Sequence, residues 1–278
     1  MENFERIEHI EGEASTNAPP PSSALVSTAK QTAIVIFVIA LFLLIWEIFA
    51  TTQNVPTFFL PKPSDIARRL TSAIADGSLT RHVMITWSEA MVAFTIAFVF
   101  SSALGYALAK SPLLEKVVSP FVVASQSLPI FAIAPFVLII LGNGFWSNAL
   151  MGALVAFFPM LVNTVAALRN ISPEQRALMR SLAATARQVF WQLEFPASLP
   201  YLFGGIRAGI TLSVIGVLVV ELFWADRGIG FLLNFARGQF DTPLLFAGIV
   251  ALIFMNLCMY VVIALLERLA MPWRRNMH

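Results

Sequence analysis

Six long apolar runs leave this chain few ways to fold. The first, 32-TAIVIFVIALFLLIWEIFA-50, carries Glu47 as its one charged residue. Five more follow at approximately 84 to 108, 118 to 141, 145 to 168, 203 to 223 and 243 to 266. A helix needs about 20 mostly apolar residues to cross the hydrocarbon of a bilayer. Lipid offers the backbone no hydrogen bonds, so runs of this length are helices unless they close into a barrel, whose strands are short and alternating. The sequence therefore predicts an all-α membrane protein with six transmembrane helices. Composition agrees: 58% of the 278 residues are hydrophobic and 12% charged, far from soluble globular usage. The connecting segments are all shorter than a domain, and no solenoid-length repeat is visible.

Charge divides the ends and loops. Residues 1 to 30 open with Glu2, Glu5, Glu8, Glu11 and Glu13 and continue into 18-APPPSS-23. They read as a disordered acidic tail closed by a polyproline-like linker, ahead of a membrane domain over residues 31 to 278. A cleaved leader would begin basic and carry a shorter apolar core, so the first run is expected to be a retained anchor. With six spans and both termini inside, the inner loops hold eleven Lys and Arg, from Arg6 to Arg275, against six outside, from Lys62 to Arg237. The positive-inside rule then places both termini in the cytoplasm. The outer loop contains 60-LPKPSDIARRL-70, in which Ser64 is expected to cap a short surface helix. A net charge of +2 with dispersed basic residues gives no footprint for nucleic acid. Cys258 stands alone, and His9, His82 and His278 are scattered, so no metal site is expected.

Between spans four and five lies the segment that fits least well with lipid. In 170-NISPEQRALMRSL-182, Ser172 at the cap, Pro173 at the first helical position and Gln175 three residues after the cap form a capping-box signature. Leu178, Leu182, Val189 and Leu193 recur at helical spacing, with Arg176, Arg180 and Arg187 largely off that stripe. This predicts one or two amphipathic helices lying against the inner ends of the spans. Pro196 is expected to end the pattern.

The run 180-RSLAATARQVFWQLEFPASLP-200, followed by 204-GGIRAGI-210, resembles the cytoplasmic loop of the membrane subunits of binding-protein-dependent ABC importers. The stretches 60-LPKPSDI-66, 128-LPIFAIAPFVLIILGNG-144 and 221-ELFWADRGIGFLL-233 narrow the resemblance to the nitrate/sulfonate/taurine type of permease. The resemblance implies a type I importer permease architecture (MetI-like) with a cytoplasmic coupling helix between spans four and five that docks on a cytoplasmic ATP-binding subunit. On that reading Glu174, Ala177, Leu178, Met179, Arg180, Ala183, Arg187 and Pro196 are the ATPase-coupling residues. Two departures stand out. Ala177, Leu178 and Met179 replace the family's Glu-Ala-Ala, and Ala183 replaces its Gly. Losing that Gly predicts a tighter turn between two short helices, or none.

The resemblance also implies a place in a bacterial inner (plasma) membrane, an extracytoplasmic solute-binding protein, a homodimer, and an energy source on another chain. No phosphate-binding loop is present; the nearest approach, 105-GYALAKS-111, lacks the second Gly and a preceding strand. The chain itself is expected to be no enzyme and to hold no cofactor, ATP and Mg belonging to the partner. Pro129 and Pro135 should break span three, making Gln126, Ser127 and Pro129 candidates for the wall of a translocation pathway, together with Asn163, Ser213 and Glu221. Thr164 and Asn256 could join them. Glu47 and Glu89 are expected to snorkel to the interface, and Arg207 to bind helix-end carbonyls or lipid phosphate. The rival function is an ion-coupled secondary transporter, for which no matching broken span appears in the other half. The variant 130-IFAIAP-135 leans the solute toward a vitamin or pyrimidine-type compound, with sulfonates and nitrate-like anions also open.

Overall fold

A computed structural model describes residues 21–126 and 129–271, and every regular element among them is helical. It divides into two compact units, residues 1–64 and 65–278.

The first unit is dominated by α1 (Pro21–Thr52). Ile34, Phe37, Leu41, Leu44 and Ile48 of it are exposed, as suits an apolar helix that meets lipid. Among the described residues this helix runs from Pro21. Residues 1–20 of the expected tail lie outside the described residues. Near the other end of α1, Glu47 does not snorkel freely: its carboxylate accepts the Ser64 amide at 3.0 Å and hydroxyl at 2.8 Å. Ser64 therefore sits inside the first turn of α2 (Pro63–Ala75) rather than capping it, and Glu47 supplies the acceptor.

In the second unit α3 (Ser78–Lys110), α6 (Phe145–Arg169), α9 (Phe195–Phe223) and α11 (Thr242–Ala270) are long apolar helices. With α1 they make five helices long and apolar enough to span a membrane among the described residues. The sixth expected run is two shorter helices, α4 (Pro112–Gln126) and α5 (Ile130–Leu141). Pro129 stands between them in an extended conformation, while Pro120 and Pro135 remain inside their helices. The break at 129 was legible; a second at 135 does not occur.

Small residues let α3, α6 and α9 meet almost backbone to backbone. A Cβ on Gly216 would lie 2.7 Å from Gly152 Cα, and one on Gly152 would lie 2.7 Å from both Ala93 Cβ and Ser213 O. Water exclusion gives no advantage between helices already in lipid, so close van der Waals packing of this kind is what holds spans together. Met255, Met259 and Ile263 of α11 complete the buried core. One polar corner ties the short helices in: Arg69 of α2 donates to Asp241 at 2.9 Å, and Asp241 also caps α11 through the Leu244 amide at 3.0 Å. Arg207 of α9 pairs with Glu267 and lies over the Tyr260 ring, so its partners are a side chain and a ring rather than helix-end carbonyls.

Candidate functional site

The segment between α6 and α9 contains α7 (Pro173–Ser181), α8 (Ala186–Val189) and a π-helical turn, Phe190–Glu194, that runs directly into α9. Ser172 caps α7, accepting the Gln175 amide at 3.2 Å, with Pro173 in the first turn as expected. The Glu174 carboxyl is held below the usual carboxylate range by hydrogen bonds to its own amide and to Ser172. A complete capping box, which the sequence reading passed over, starts α8: the Thr185 amide donates to Gln188 at 2.8 Å and the Gln188 amide to the Thr185 hydroxyl. Its signal was 185-TARQ-188, the pattern already recognised at Ser172.

The turn between α7 and α8 is present. Ala183 adopts φ 50°; its amide reaches Arg180 O at 3.0 Å, and the Ala184 amide reaches Met179 O at 3.0 Å. Those two bonds form a Schellman motif, whose left-handed position usually holds Gly. Two terminal carbonyls are satisfied, against a cost of about 1–2 kcal/mol for the Cβ of a left-handed alanine. Ala183→Gly is accordingly expected to steady this turn by about 1 kcal/mol, slowing amide exchange over residues 178–184 by about fivefold. Unchanged or faster exchange would show that Ala183 is not strained.

Pro196 does not end the helix. The Phe195 amide bonds to Phe190 O, five residues back; this wider turn accommodates the amide that proline lacks, and α9 continues through Pro196 and Pro200.

The orientation of the segment also differs from expectation. Leu178 and Leu182 are 59% and 66% exposed, and α7 buries no residue at all. What turns inward is charge. Glu194 is fully buried, with Lys110 Nζ at 2.5 Å and Arg176 Nη1 at 3.3 Å from its Oε1. The Tyr106 hydroxyl lies 3.3 Å from its Oε2, and Arg176 Nη2 donates to Leu168 O at 2.7 Å. A buried carboxylate must gather donors or be lost from the interior, and that requirement overrides the apolar stripe. Of the expected coupling residues, Glu174, Ala177, Leu178, Arg180, Ala183 and Arg187 are exposed, and Met179 and Pro196 are half-buried.

At the opposite end of the bundle α10 (Ile229–Gly238) starts on a second buried carboxylate. The Gly230 amide donates to Glu221 Oε2 at 2.8 Å, the Thr86 hydroxyl sits 2.7 Å from Oε1, the Ile229 amide donates to Thr86 at 2.8 Å, and the Gly228 amide to His82 Nδ1 at 3.1 Å. Three otherwise unpaired first-turn amides are thus satisfied by side chains of α3 and α9. The glycines of 227-RGIG-230 follow from this contact, because a Cβ on Gly228, at φ 94°, would lie 2.1 Å from Glu221 Oε1. Glu89 is fully buried too, accepting from Asn148 at 2.9 Å; it does not reach the interface.

The expected pathway residues are not gathered into one cluster. Asn163 bonds to Pro159 O, Thr164 to Met160 O and Ser213 to Gly209 O, each within its own helix. Pro129 is exposed; Ser127 and the side chain of Gln126 lie outside the described residues.

Residues 97–271 match the family model described as binding-protein-dependent transport system inner membrane component. The chain belongs to this family. Among curated relatives it is 39% identical to the riboflavin transport system permease protein RibX of Chloroflexus aurantiacus, over 85% of this chain and 88% of that one. It is 31% identical to the formylaminopyrimidine transport permease protein ThiX of Halalkalibacterium halodurans, over 84% and 93%, and 26% identical to the taurine transport system permease protein TauC of Escherichia coli, over 88% and 91%. The fold is similar to a chain of the MetNI methionine ABC transporter solved in inward-facing conformations, with a TM-score of 0.63 and 18% identity over 69% of this chain and 95% of that one. The protein is a multi-pass permease subunit of an ABC importer, and membership sets the ion-coupled alternative aside.

Proposed function

We propose that this permease forms the pathway of an importer for a heteroaromatic vitamin or pyrimidine precursor, driven through α7 and α8 by a separate cytoplasmic ATPase. The observation that carries the coupling role is the exposure of Leu178 on α7 and of Leu182 at its C-terminal cap, on an element with no fully buried residue that is nonetheless tied to the spans through Arg176. An apolar pair presented in that way suits burial against a partner protein, each leucine contributing about 1.5–3 kcal/mol once covered. Both termini, α7 and α8 face the cytoplasm, and ATP and Mg bind the partner alone. The Glu221 end faces outward, where an extracytoplasmic binding protein delivers solute. Two copies of the chain enclose the pathway, with Gln126, Ser127, Pro129, Asn163 and Ser213 contributing to its wall.

The solute class is supported by two relatives above 30% identity whose names specify riboflavin and formylaminopyrimidine, with the taurine relative lower. Uptake into vesicles containing the permease, its ATPase and its binding protein tests both parts. Labelled riboflavin or an aminopyrimidine is expected to enter with ATP, with no competition from excess taurine or nitrate. Uptake of taurine in preference to either ring compound would overturn the solute assignment; full uptake without the ATPase would overturn the coupling.

A further inference from the structure

We propose that Glu194 is the positioning residue through which displacement of α7 and α8 is delivered to the spans. This rests on the reading of those helices as the ATPase contact and specifies how their movement leaves them. No residue of α7 is fully buried, and Met179 alone among its apolar side chains is even half-buried, so apolar packing fixes it to the bundle only weakly. Its polar tie to the bundle is Arg176, which reaches Glu194 with one nitrogen and the last turn of α6 at Leu168 O with the other. Glu194 in turn holds the end of α3 through Lys110 and Tyr106, and belongs to the chain that becomes α9. One carboxylate therefore joins α7 to the ends of two spans, α3 and α9, while Arg176 itself reaches the end of a third, α6.

Local structure suits the task. The π turn widens the backbone at Phe190–Glu194, so Glu194 turns wholly inward while Trp191 stays exposed. Wide turns of this type occur frequently at functional positions. A cavity of about 640 Å³ lies beside it, lined by Phe98, Tyr106, Phe190, Phe195 and Ser198 among others. A close-packed interior resists displacement because neighbours must repack; this cavity gives the π turn and the Tyr106 ring room to shift. The link itself is stiff, since separating Arg176 from Glu194 would strip one donor from a charge buried away from water.

The test uses the complete importer in vesicles, comparing Glu194→Gln with wild type. Glutamine keeps the shape and an acceptor oxygen but removes the charge. Expected are normal co-purification of the ATPase, basal ATP hydrolysis within about twofold, and at least a tenfold loss of the stimulation caused by solute-loaded binding protein. Arg176→Met, on an exposed helix, is expected to give the same loss and keeps the test open should Glu194→Gln fail to accumulate. The double variant should be no worse than the more severe single one, because both cut the same link. A purely structural Glu194 would lower yield or melting temperature and leave stimulation per assembled complex unchanged, and that result overturns the inference, as do additive effects. Failure of the wild-type permease to bind an ATPase at all would instead sink the docking reading beneath it.

Discussion

Replacing Leu178 and Leu182 together with Asp is expected to detach the ATPase from a permease that still folds and inserts. Both side chains are more than half exposed, so their loss removes almost nothing from the isolated chain; surface substitutions of this kind usually stay within about 0.5 kcal/mol. In the complex the same change removes two buried leucines and desolvates two carboxylates without partners. At about 2 kcal/mol per leucine the affinity should fall about a thousandfold before any charge penalty is counted. Co-purification from detergent, read against an unchanged melting temperature of the permease alone, checks it. Retained ATPase would show that the exposed leucines meet lipid or water in the working complex and that the contact lies elsewhere on the segment.

Gly216→Val is expected to prevent accumulation of folded protein, whereas Gly204→Val one face away should be tolerated. The Gly216 Cβ would sit 2.6 Å from Val155 Cγ2, 2.7 Å from Gly152 Cα and 2.8 Å from Met151 O. Two of those three atoms belong to backbone, which cannot swing aside, so α6 and α9 must separate along their whole contact. Overpacking a core costs about 1–3 kcal/mol when side chains can adjust, and here the cost should exceed that range. Gly204 has nothing within 4 Å of its added Cβ, and valine there removes a flexible residue from a helix. The yield of monodisperse protein after detergent extraction separates the two. Equal yields would mean that α6 and α9 pack less closely than their glycines indicate.

How much of this was legible in the sequence depends on what each signal measured. Apolar length located five of the spans, because lipid leaves a long apolar run no alternative to helix, although the helices run up to eleven residues beyond the apolar runs. Pro129 marked the interruption of the third run for a similar reason: a missing amide is a local fact that no tertiary contact restores. Signals that compare one face with another served less well. The stripe Leu178, Leu182, Val189 and Leu193 pointed inward on periodicity alone, yet α7 turns Arg176 inward because Glu194 is buried, and no single-helix pattern reveals a carboxylate supplied by another turn. The same holds for Glu89, which looked like an end-of-span charge until Asn148 of α6 was seen to meet it. Ala183 shows the opposite limit. Its side chain argued against a left-handed turn, but two paired carbonyls outweigh the strain, and a composition rule sees only the strain. Glu194 itself was visible as a polar interruption; its partners Lys110 and Arg176 lie 84 and 18 positions away in the chain.

In the proposed function the permease is a passive gate moved by a separate motor through α7 and α8. Its most direct test is solute accumulation in sealed vesicles assembled with the permease and binding protein, with and without the ATPase. Uphill uptake is expected only when ATPase and ATP are both present, and only with wild-type Leu178 and Leu182. Accumulation by the permease without the ATPase, sustained by an ion gradient alone, would contradict the account.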